Sequence, residues 1–287
     1  MTDPYEDVYY QSEDGLRLYA RDSGSVSSAQ TLLCMHGLTR NAADFAKIAE
    51  RYRDKYRVVS VDQRGRGRSA YDPNSQNYQP DVYCRDMFRL IDHLELGNIV
   101  AIGTSMGGLM AMIMAATQPD VFKGVVLNDI GPVVDPVGIA RIQSYVGKVG
   151  PFANWAEAEA SIKGQGQDVF PDYTDADWAD FARRVCEERS DGRVHFAYDK
   201  AISAGAKSDA PSIVPPDLWP AFKFLVGTPM LVVRGATSDI LARKTVEEMQ
   251  ACHPNLKAVD IPRVGHAPML DEPVAVTALD DFLEGLL

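Results

Sequence analysis

Cysteine and basic residues are both scarce in this sequence. Four cysteines occur among 287 residues, and no two of them form a C-x-x-C pair. This pattern excludes a zinc knuckle and a disulfide framework as the basis of the fold. Lysine and arginine total 29 against 40 aspartates and glutamates, which leaves a formal net charge of −11. Because phosphate-binding surfaces need the opposite sign, nucleic acid and anionic membrane surfaces are both disfavoured as partners.

Long hydrophobic runs and targeting segments are missing as well. No apolar stretch reaches the roughly 20 residues that a membrane-spanning helix needs. Residues 1–7 are acidic and polar and show no secretory signal, so we expect a cytoplasmic location. No H-E-x-x-H or comparable ligand spacing occurs, so we expect neither a metal nor a cofactor. With 46% hydrophobic residues, a chain of this length can bury a core without such aids.

Short apolar segments alternate with helical patterns along most of the chain. The apolar segments predict strands at residues 8–11, 17–22, 31–35, 57–61, 99–103, 125–127, 230–234 and 258–261. The helical patterns predict helices at residues 42–52, 81–94, 109–117, 244–252 and 274–286. This order indicates an α/β fold with a mostly parallel sheet and helices on both faces. The first two strands predict an antiparallel hairpin that turns at residues 13–15.

The composition changes after residue 132. From residue 133 to residue 216 the sequence shows helical patches, such as residues 155–162 and 175–189, and glycine-rich breaks, such as residues 164–166, but no clear buried strand. A segment of this length exceeds an ordinary loop and should carry structure and function of its own. We therefore predict a core formed by residues 1–132 and 217–287, interrupted by a helical cap or lid at residues 133–216. Aromatic residues of this insertion could either wall a pocket or hold the insertion on the core: Phe152, Trp155, Phe170, Tyr173, Trp178 and Phe181.

A G-x-S-x-G motif is the strongest local signal for chemistry. Gly103-Thr104-Ser105-Met106-Gly107 lies where a predicted strand ends and a predicted helix begins. A serine at such a turn is held away from the sheet, next to the partial positive charge of a helix N-terminus. The same five-residue pattern also occurs by chance in inert glycine-rich turns, but its position between strand and helix favours Ser105 as a nucleophile.

A second loop can supply hydrogen-bond donors to the same point. His36-Gly37-Leu38 directly follows the strand at residues 31–35, and we expect the backbone N–H of Leu38 to converge with that of Met106. Two such donors would bind the oxyanion of a tetrahedral intermediate. We interpret His36 as a structural residue that holds this loop rather than as a general base.

Asp239 and His266 complete the candidate site. Both follow predicted strands, and the loops after the carboxyl ends of parallel strands gather at one edge of a sheet. Ser105, Asp239 and His266 therefore converge for topological reasons. Their order along the chain, serine then aspartate then histidine, is the order found in folds that carry the G-x-S-x-G turn. We predict that His266 takes the proton of Ser105 and that Asp239 holds the imidazole tautomer.

Taken together, these motifs resemble those of the α/β-hydrolase superfamily. The resemblance extends over the whole predicted core and is carried by His36-Gly37, residues 62–69 (DQRGRGRS), residues 103–108 (GTSMGG), Asp239 and Gly265-His266. It implies a hydrolase fold with a cap at the position of the insertion. The motifs are similar to those of enol-lactonases, small-ester hydrolases, cofactor-free haloperoxidases and carbon–carbon bond hydrolases. The serine at position 105 differs from the carboxylate nucleophile of haloalkane dehalogenases and epoxide hydrolases.

The resemblance also implies a second candidate for the acid. Some members of the superfamily place it after the strand that follows the nucleophile, and Asp129 stands there in this chain. We prefer Asp239 because Gly235 and Ser238 beside it match the commoner arrangement. The arginine-rich segment at residues 62–69 is interpreted as a structural loop beside the active edge rather than as a phosphate site.

The function predicted from the sequence is that of a serine hydrolase that cleaves a small carboxylic ester or lactone through an acyl-enzyme intermediate. A carbon–carbon bond hydrolase of the ring-fission diketone type is an alternative. Such enzymes often follow the HG pair with Ser-Gly, whereas this chain has Leu38-Thr39-Arg40. A ligand receptor that retains the triad is a second alternative. The expected partner is the small-molecule ester or lactone, and a homo-oligomer is compatible with the sequence.

Overall fold

The computed structural model describes residues 4–207 and 217–286. Its strands are β1 (Glu6–Gln11), β2 (Arg17–Ser23), β3 (Thr31–Met35), β4 (Arg57–Asp62), β5 (Ile99–Thr104), β6 (Phe122–Asn128), β7 (Cys186–Glu188), β8 (Val194–Phe196), β9 (Met230–Gly235) and β10 (Leu256–Ile261). Its α-helices are α1 (Ala46–Tyr52), α2 (Pro80–His93), α3 (Met106–Thr117), α4 (Pro136–Tyr145), α5 (Trp155–Gly166), α6 (Asp175–Val185), α7 (Trp219–Phe222), α8 (Arg243–Cys252) and α9 (Pro273–Glu284). None of the helices in these two ranges has the length and apolarity needed to span a bilayer.

The strands of the core form one mixed sheet. Its eight strands lie in the order β1-β2-β4-β3-β5-β6-β9-β10. β2 pairs antiparallel with both β1 and β4, and all other neighbours in the sheet run parallel. The predicted α/β fold with a mostly parallel sheet is therefore confirmed, with the antiparallel hairpin at one edge. The hairpin turn contains Gly15, whose φ of +82° suits a residue without a Cβ.

Helices cover both faces of the sheet. β3 and β4 are buried along their whole length, as expected for strands that are covered on both sides. The hydrophobic cluster on one face joins the sheet to α2 and α3 and includes Leu33, Met35, Val59, Met87, Leu90 and Met110. The cluster on the other face joins it to α1 and α9 and includes Leu32, Cys34, Val58, Ile48, Leu279 and Phe282. The alternation of side chains along each strand thus divides the core into two layers and leaves the carboxyl ends of the parallel strands open at one edge.

Between β6 and β9 the chain forms an insertion that is largely helical. Its outer part has a hydrophobic cluster of its own, with Phe152, Ala158, Ile162, Phe170, Trp178, Phe181, Ala182, Val185, Cys186 and Val194. The sequence shows no clear buried strand in this region; the structure adds the short strands β7 and β8, which pair antiparallel over three residues each and are buried only at their first residue. The helical pattern predicted for residues 175–189 ends at Val185, where β7 begins. The glycine-rich break predicted at residues 164–166 lies inside α5.

Helix α4, the first helix of the insertion, is attached to the core. Its residues Ile139 and Ile142 pack against the cluster that contains α2 and α3. The backbone N–H of Asp135, just before the helix, donates to the carbonyl of Ile240 at 3.0 Å. The predicted end of the insertion at residue 216 falls outside the described residues, so the division at 133–216 stays a prediction.

The loop at residues 62–69 joins the insertion to the core. The N–H of Gly67 donates to the carbonyl of Ala197, and the N–H of Asp199 donates to the carbonyl of Gly65, both at 2.8 Å. These hydrogen bonds fix the end of the β7–β8 hairpin over the carboxyl edge of the sheet.

Candidate active site

Ser105 occupies the turn between β5 and α3. Its φ of +51° lies in the left-handed region, which a residue with a Cβ rarely adopts, so the turn is strained. Gly107 lets this turn approach the neighbouring strand, because a Cβ at that position would overlap the carbonyl of Met35. The chain thus has the strand–turn–helix arrangement that the G-x-S-x-G motif predicts, with the serine at its tip.

The imidazole of His266 lies between Ser105 and Asp129. Its Nε2 is 2.9 Å from Ser105 Oγ, and its Nδ1 is 2.8 Å from Asp129 Oδ2. The side chains of His266 and Asp129 are 8% and 0% exposed, so this chain of hydrogen bonds is shielded from water. One tautomer satisfies both contacts: Nδ1–H donates to the carboxylate, and Nε2 accepts from the serine hydroxyl. Such an arrangement can convert an alcohol into a nucleophile.

Asp129 follows β6 and is held by the end of β9 and by the loop that follows it. Its Oδ1 accepts a hydrogen bond from the N–H of Gly235 at 2.8 Å, and its Oδ2 accepts one from the hydroxyl of Ser238 at 2.6 Å. Its own N–H donates to the carbonyl of Val233 at 2.7 Å. These bonds fix the orientation of a fully buried carboxylate and keep it in contact with His266.

Asp239 binds a different partner. Its carboxylate accepts hydrogen bonds from Nε and Nη2 of Arg141, at 2.5 Å and 2.8 Å. This guanidinium holds the pKa of Asp239 below its ordinary value. The predicted contact between Asp239 and His266 is therefore corrected, because Asp129, the alternative acid, occupies that position. The physical reason is that the insertion brings a cation to Asp239, while the neighbouring Ser238 reaches Asp129.

His36 is completely buried and bridges two loops. Its Nδ1–H donates to the carbonyl of Gly37 at 2.7 Å, and its Nε2 accepts from the N–H of Gln63 at 3.0 Å. Burial lowers the pKa of His36 to about 3, so the imidazole stays neutral. Both ring nitrogens are engaged in holding backbone, which agrees with a structural role for this residue.

The two residues predicted as oxyanion donors lie on loops beside Ser105. Leu38 lines the same cavity as Ser105, and Met106 is the first residue of α3. Among the residues that the structure describes, neither of these two N–H groups donates to a protein acceptor. The buried Arg66 holds both residues: its Nε donates to the carbonyl of Leu38 at 2.9 Å, and its Nη2 lies 3.9 Å from Met106 Sδ. The arrangement leaves two backbone donors next to the serine.

A cavity of about 180 Å³ opens onto Ser105 and His266. Most of its wall is apolar and comes from both the core and the insertion: Leu38, Phe45, Ile142, Ile162, Val169, Phe170, Trp178, Phe181, Val185, Phe196, Met269 and Leu270. Besides Ser105 and His266, the polar side chains of the wall are Thr39, Arg40, Asp44, Thr104, Arg141, Tyr145, Gln165 and Tyr198. A largely apolar cavity with a few polar groups suits a small organic ligand that is oriented by those groups.

The aromatic residues of the insertion divide between the two roles that the sequence leaves open. Phe170, Trp178 and Phe181 line the cavity and also belong to the hydrophobic cluster of the insertion. Phe152 is buried in the same cluster but does not line the cavity. One group of rings thus both shapes the cavity and stabilises the insertion.

Comparison with known proteins assigns this fold to a family. The family model for the α/β hydrolases matches residues 32–279. This chain is an α/β hydrolase. The resemblance noted in the sequence is therefore confirmed, and the chain belongs to a family of hydrolytic enzymes.

Similar proteins extend over nearly the whole length of this α/β hydrolase. It is 32% identical over 275 residues to a 3-hydroxybutyrate-oligomer hydrolase of Cupriavidus necator, which covers 94% of this chain and 93% of the relative. It is 26% identical over 271 residues to a 2-(acetamidomethylene)succinate hydrolase of Mesorhizobium japonicum, with 94% and 92% covered. The crystal structure of an α/β hydrolase from Novosphingobium aromaticivorans superposes with a TM-score of 0.92 at 41% identity, over 99% of both chains.

Sequence reasoning missed three residues of the site. In the sequence Ser238 is only the neighbour of the preferred acid Asp239, whereas in the structure its hydroxyl donates to Asp129. Arg141 and Tyr145 lie four positions apart, which places both on one face of α4. That spacing is visible in the sequence, but the sequence does not show that this face of the helix meets the cavity.

Proposed function

We propose that this α/β hydrolase is a serine hydrolase that cleaves short carboxylic esters through an acyl-enzyme intermediate. The observation that carries the proposal is the chain of hydrogen bonds from Ser105 through His266 to Asp129, at the floor of a largely apolar cavity. Ser105 is the nucleophile, His266 the general base and acid, and Asp129 the group that orients the imidazole. The N–H groups of Leu38 and Met106 serve as the oxyanion donors.

The reaction proceeds by acyl transfer to the serine and then to water. Ser105 Oγ attacks the ester carbonyl while Nε2 of His266 takes its proton, and the carboxylate of Asp129 stabilises the imidazolium. The carbonyl oxygen becomes an oxyanion that accepts from both backbone donors, each worth about 3 kcal/mol in the transition state. The imidazolium then gives its proton to the departing alkoxide, which leaves as the alcohol. Water, deprotonated by the same imidazole, attacks the acyl group; the imidazolium then returns its proton to Ser105 Oγ as the acyl bond breaks, which releases the acid and the free serine.

The cavity and the relatives support an ester as the substrate. The wall accommodates a short apolar acyl or alkyl group next to the serine. Oligomers of a hydroxy acid such as 3-hydroxybutyrate are joined by ester bonds, so the name of the Cupriavidus necator relative favours ester cleavage over carbon–carbon cleavage. Lactone hydrolysis and cleavage of a ring-fission diketone would use the same three residues and stay predictions, as does a receptor role.

Covalent labelling of Ser105 tests the proposal. We expect a fluorophosphonate probe to add one adduct to the wild-type protein, mapped to Ser105 by mass spectrometry, and none to the Ser105→Ala variant. The same substitution should lower kcat for p-nitrophenyl butyrate by at least about 10^4-fold. Ser27→Ala, at an exposed serine of the loop between β2 and β3, is the control and should label and react like the wild type.

Three results would contradict this proposal. The Ser105→Ala variant could still be labelled, or keep more than a tenth of the wild-type activity, and either result would show that Ser105 is not the nucleophile. The wild type could turn over a ring-fission diketone faster than any ester of a chain-length panel, which would favour carbon–carbon cleavage. It could also turn over every ester slowly while a ligand raises its Tm strongly, which would favour the receptor alternative.

A further inference from the structure

Arg141 lies on the cavity wall without a part in the reaction described above. It belongs to α4 and lines the cavity onto which Ser105 and His266 open. Its side chain is 32% exposed, so the guanidinium is accessible from the cavity while much of it is covered by protein. A cation in a wall that is otherwise mainly apolar calls for a partner of opposite charge or for hydrogen-bond acceptors.

Asp239 binds one edge of this guanidinium. The two parallel hydrogen bonds from Nε and Nη2, at 2.5 Å and 2.8 Å, are the bidentate arrangement that fixes both the position and the plane of an arginine. The hydrogen bonds from Arg141 lower the pKa of Asp239 and so keep its carboxylate ionised. Asp239 therefore acts as a support for Arg141 and not as a partner that covers the whole guanidinium.

The core also fixes the helix that carries Arg141. A Cβ at Gly138, one turn before Arg141, would overlap the carbonyl oxygen of Asp239, so α4 packs directly against this loop. The hydrogen bond from Asp135 N–H to the carbonyl of Ile240 fixes the start of the helix on the same loop. The position of Arg141 relative to the catalytic edge is thus set by the loop after β9, and not by the outer part of the insertion.

The opposite edge of the guanidinium is available to a ligand. Within residues 4–207 and 217–286, Asp239 is the carboxylate that binds this guanidinium, and it uses Nε and Nη2 but not the third nitrogen, Nη1. The phenol of Tyr145, one turn further along α4, lies beside it and lines the same cavity. Burial raises the pKa of Tyr145, and the nearby Arg141 partly opposes that shift. The phenol therefore stays protonated and can donate a hydrogen bond next to the guanidinium.

Arg40, the other arginine of the wall, is more fully engaged. Its Nε and Nη2 bind Asp44, and the face of its guanidinium lies 4.0 Å over the ring of Phe181. Its side chain is 19% exposed. Arg141 is therefore the cation of this wall with the greater accessible donor surface.

We propose that Arg141 and Tyr145 form a subsite for a carboxylate that belongs to the substrate, with Asp239 as the residue that positions Arg141. The planar guanidinium matches the two oxygens of a carboxylate, and the phenol supplies a further donor. The preferred substrates are then esters that carry a free carboxylate beyond the ester bond, such as linear esters of hydroxy acids. This subsite rests on the proposed ester hydrolysis by Ser105, and it names the substrate class of that reaction.

A matched pair of substrates tests the subsite. The linear dimer of 3-hydroxybutyrate contains one ester bond and one carboxylate, and its N-methylamide contains the same ester bond without the charge. We expect Arg141→Gln to lower kcat/KM for the acid by about 10- to 100-fold, mostly through KM, because a hydrogen bond to a charged group is lost. For the amide the change should be less than about threefold. Arg141→Lys, which keeps the charge but not the fork, should recover only part of the loss.

The control is an arginine with the same bidentate geometry away from the cavity. Arg51 binds Asp280 through Nε and Nη2 on the surface between α1 and α9. Arg51→Gln should leave kcat/KM unchanged for both substrates. Thermal melts of all variants should show that they fold. An equal loss for the acid and the amide, or no loss for either, would overturn the subsite.

A binding measurement separates this proposal from the proposed function. In the Ser105→Ala background, calorimetry should show tighter binding of the acid dimer than of its amide, and Arg141→Gln should abolish that preference. If the wild type hydrolyses neither compound while the preference persists, the subsite stands and the ester hydrolysis fails. If the wild type hydrolyses both compounds with no Arg141-dependent preference in rate or binding, the ester hydrolysis stands and the subsite fails.

Discussion

Arg66 is the buried side chain that connects the two proposed oxyanion donors. Its Nε donates to the carbonyl of Leu38, its Nη2 lies near Met106 Sδ, and its Nη1 donates to the hydroxyl of Tyr83 at 2.9 Å. A backbone donor contributes to catalysis only when it is held at the position where the oxyanion forms. We therefore predict that Arg66 acts through the loop of Leu38, as a positioning residue rather than as a group that touches the substrate.

Replacing Arg66 should reduce catalysis more than binding. We expect Arg66→Met to lower kcat for p-nitrophenyl butyrate by about 10- to 100-fold, with a much smaller change in KM, because misplaced donors stabilise the transition state less. The affinity for an alkyl boronic acid, which forms a tetrahedral adduct with the serine, should fall in parallel. Arg66→Lys should restore part of both.

Tyr83→Phe is the control for the Arg66 variants. It removes one of the two acceptors of Nη1, the other being the carbonyl of Arg64, and leaves the contact with Leu38 in place. It should lower the Tm without a comparable loss of kcat. An Arg66→Met protein that folds and keeps the wild-type kcat and boronate affinity would show that the contact with Leu38 has no catalytic consequence.

The residues of the site differ in how far the sequence predicts them. Ser105 and His266 follow from motifs and from the position of their loops, because both follow parallel strands of one sheet. Asp129 and Asp239 satisfy the same rule, so topology alone does not choose between them. The choice depends on Ser238 and on Arg141, which bind one carboxylate each through contacts across about 100 positions of the chain. A local sequence pattern does not predict contacts between residues so far apart in the chain.

At the scale of elements, the aromatic rings of the insertion stabilise its hydrophobic cluster, and some of them also line the cavity. Phe170 belongs to the hydrophobic cluster of the insertion and lines the cavity, with its ring stacked on that of Tyr173 at a centroid distance of 4.5 Å. Phe152 belongs to the same cluster and packs edge to face on Phe196 at 5.5 Å, but it does not line the cavity. Stability and substrate size are therefore separable by substituting one ring or the other.

Phe170→Leu should change the preferred acyl length. A smaller side chain at the wall enlarges the cavity, so the optimum in a series of p-nitrophenyl esters should move to an acyl chain about one or two carbons longer. Phe152→Leu should lower the free energy of unfolding by roughly 0.5–3 kcal/mol and leave the preferred acyl length unchanged. If both variants gave the same acyl-length profile as the wild type, the wall at Phe170 would not limit the substrate.

The elements of the core are more predictable than those of the insertion. Strands buried on both faces appear as continuous apolar runs, and the predicted segments at residues 31–35 and 99–103 agree with β3 and β5 to within one residue. The short pair β7 and β8 has no such run, because three-residue strands carry almost no periodicity. The end of α6 at Val185 likewise depends on pairing with β8 rather than on a helix-terminating residue.

At the scale of the whole molecule, one sheet edge brings together the proposed catalytic residues, and the insertion and the core share the cavity wall around them. The loops after β5, β6 and β10 carry Ser105, Asp129 and His266, and the parallel sheet brings them together whatever their separation in sequence. The segment between β6 and β9 covers that edge and contributes half of the residues that line the cavity. The fold class and the position of the site thus follow from the order of the elements. The shape and charge of the cavity depend on how the insertion packs, which the sequence alone does not show.

The role of Asp129 as the acid of the triad is tested most directly by comparing two isosteric variants on one neutral substrate. The measurement is kcat for p-nitrophenyl butyrate with Asp129→Asn and Asp239→Asn, after thermal melts have shown that both variants fold. We predict that Asp129→Asn lowers kcat by about 10^3- to 10^4-fold, because an amide cannot hold the required imidazole tautomer, and that Asp239→Asn lowers it by less than about tenfold. A large loss with Asp239→Asn and a small one with Asp129→Asn would contradict the hydrogen-bonded chain of Ser105, His266 and Asp129 as the machinery of the reaction.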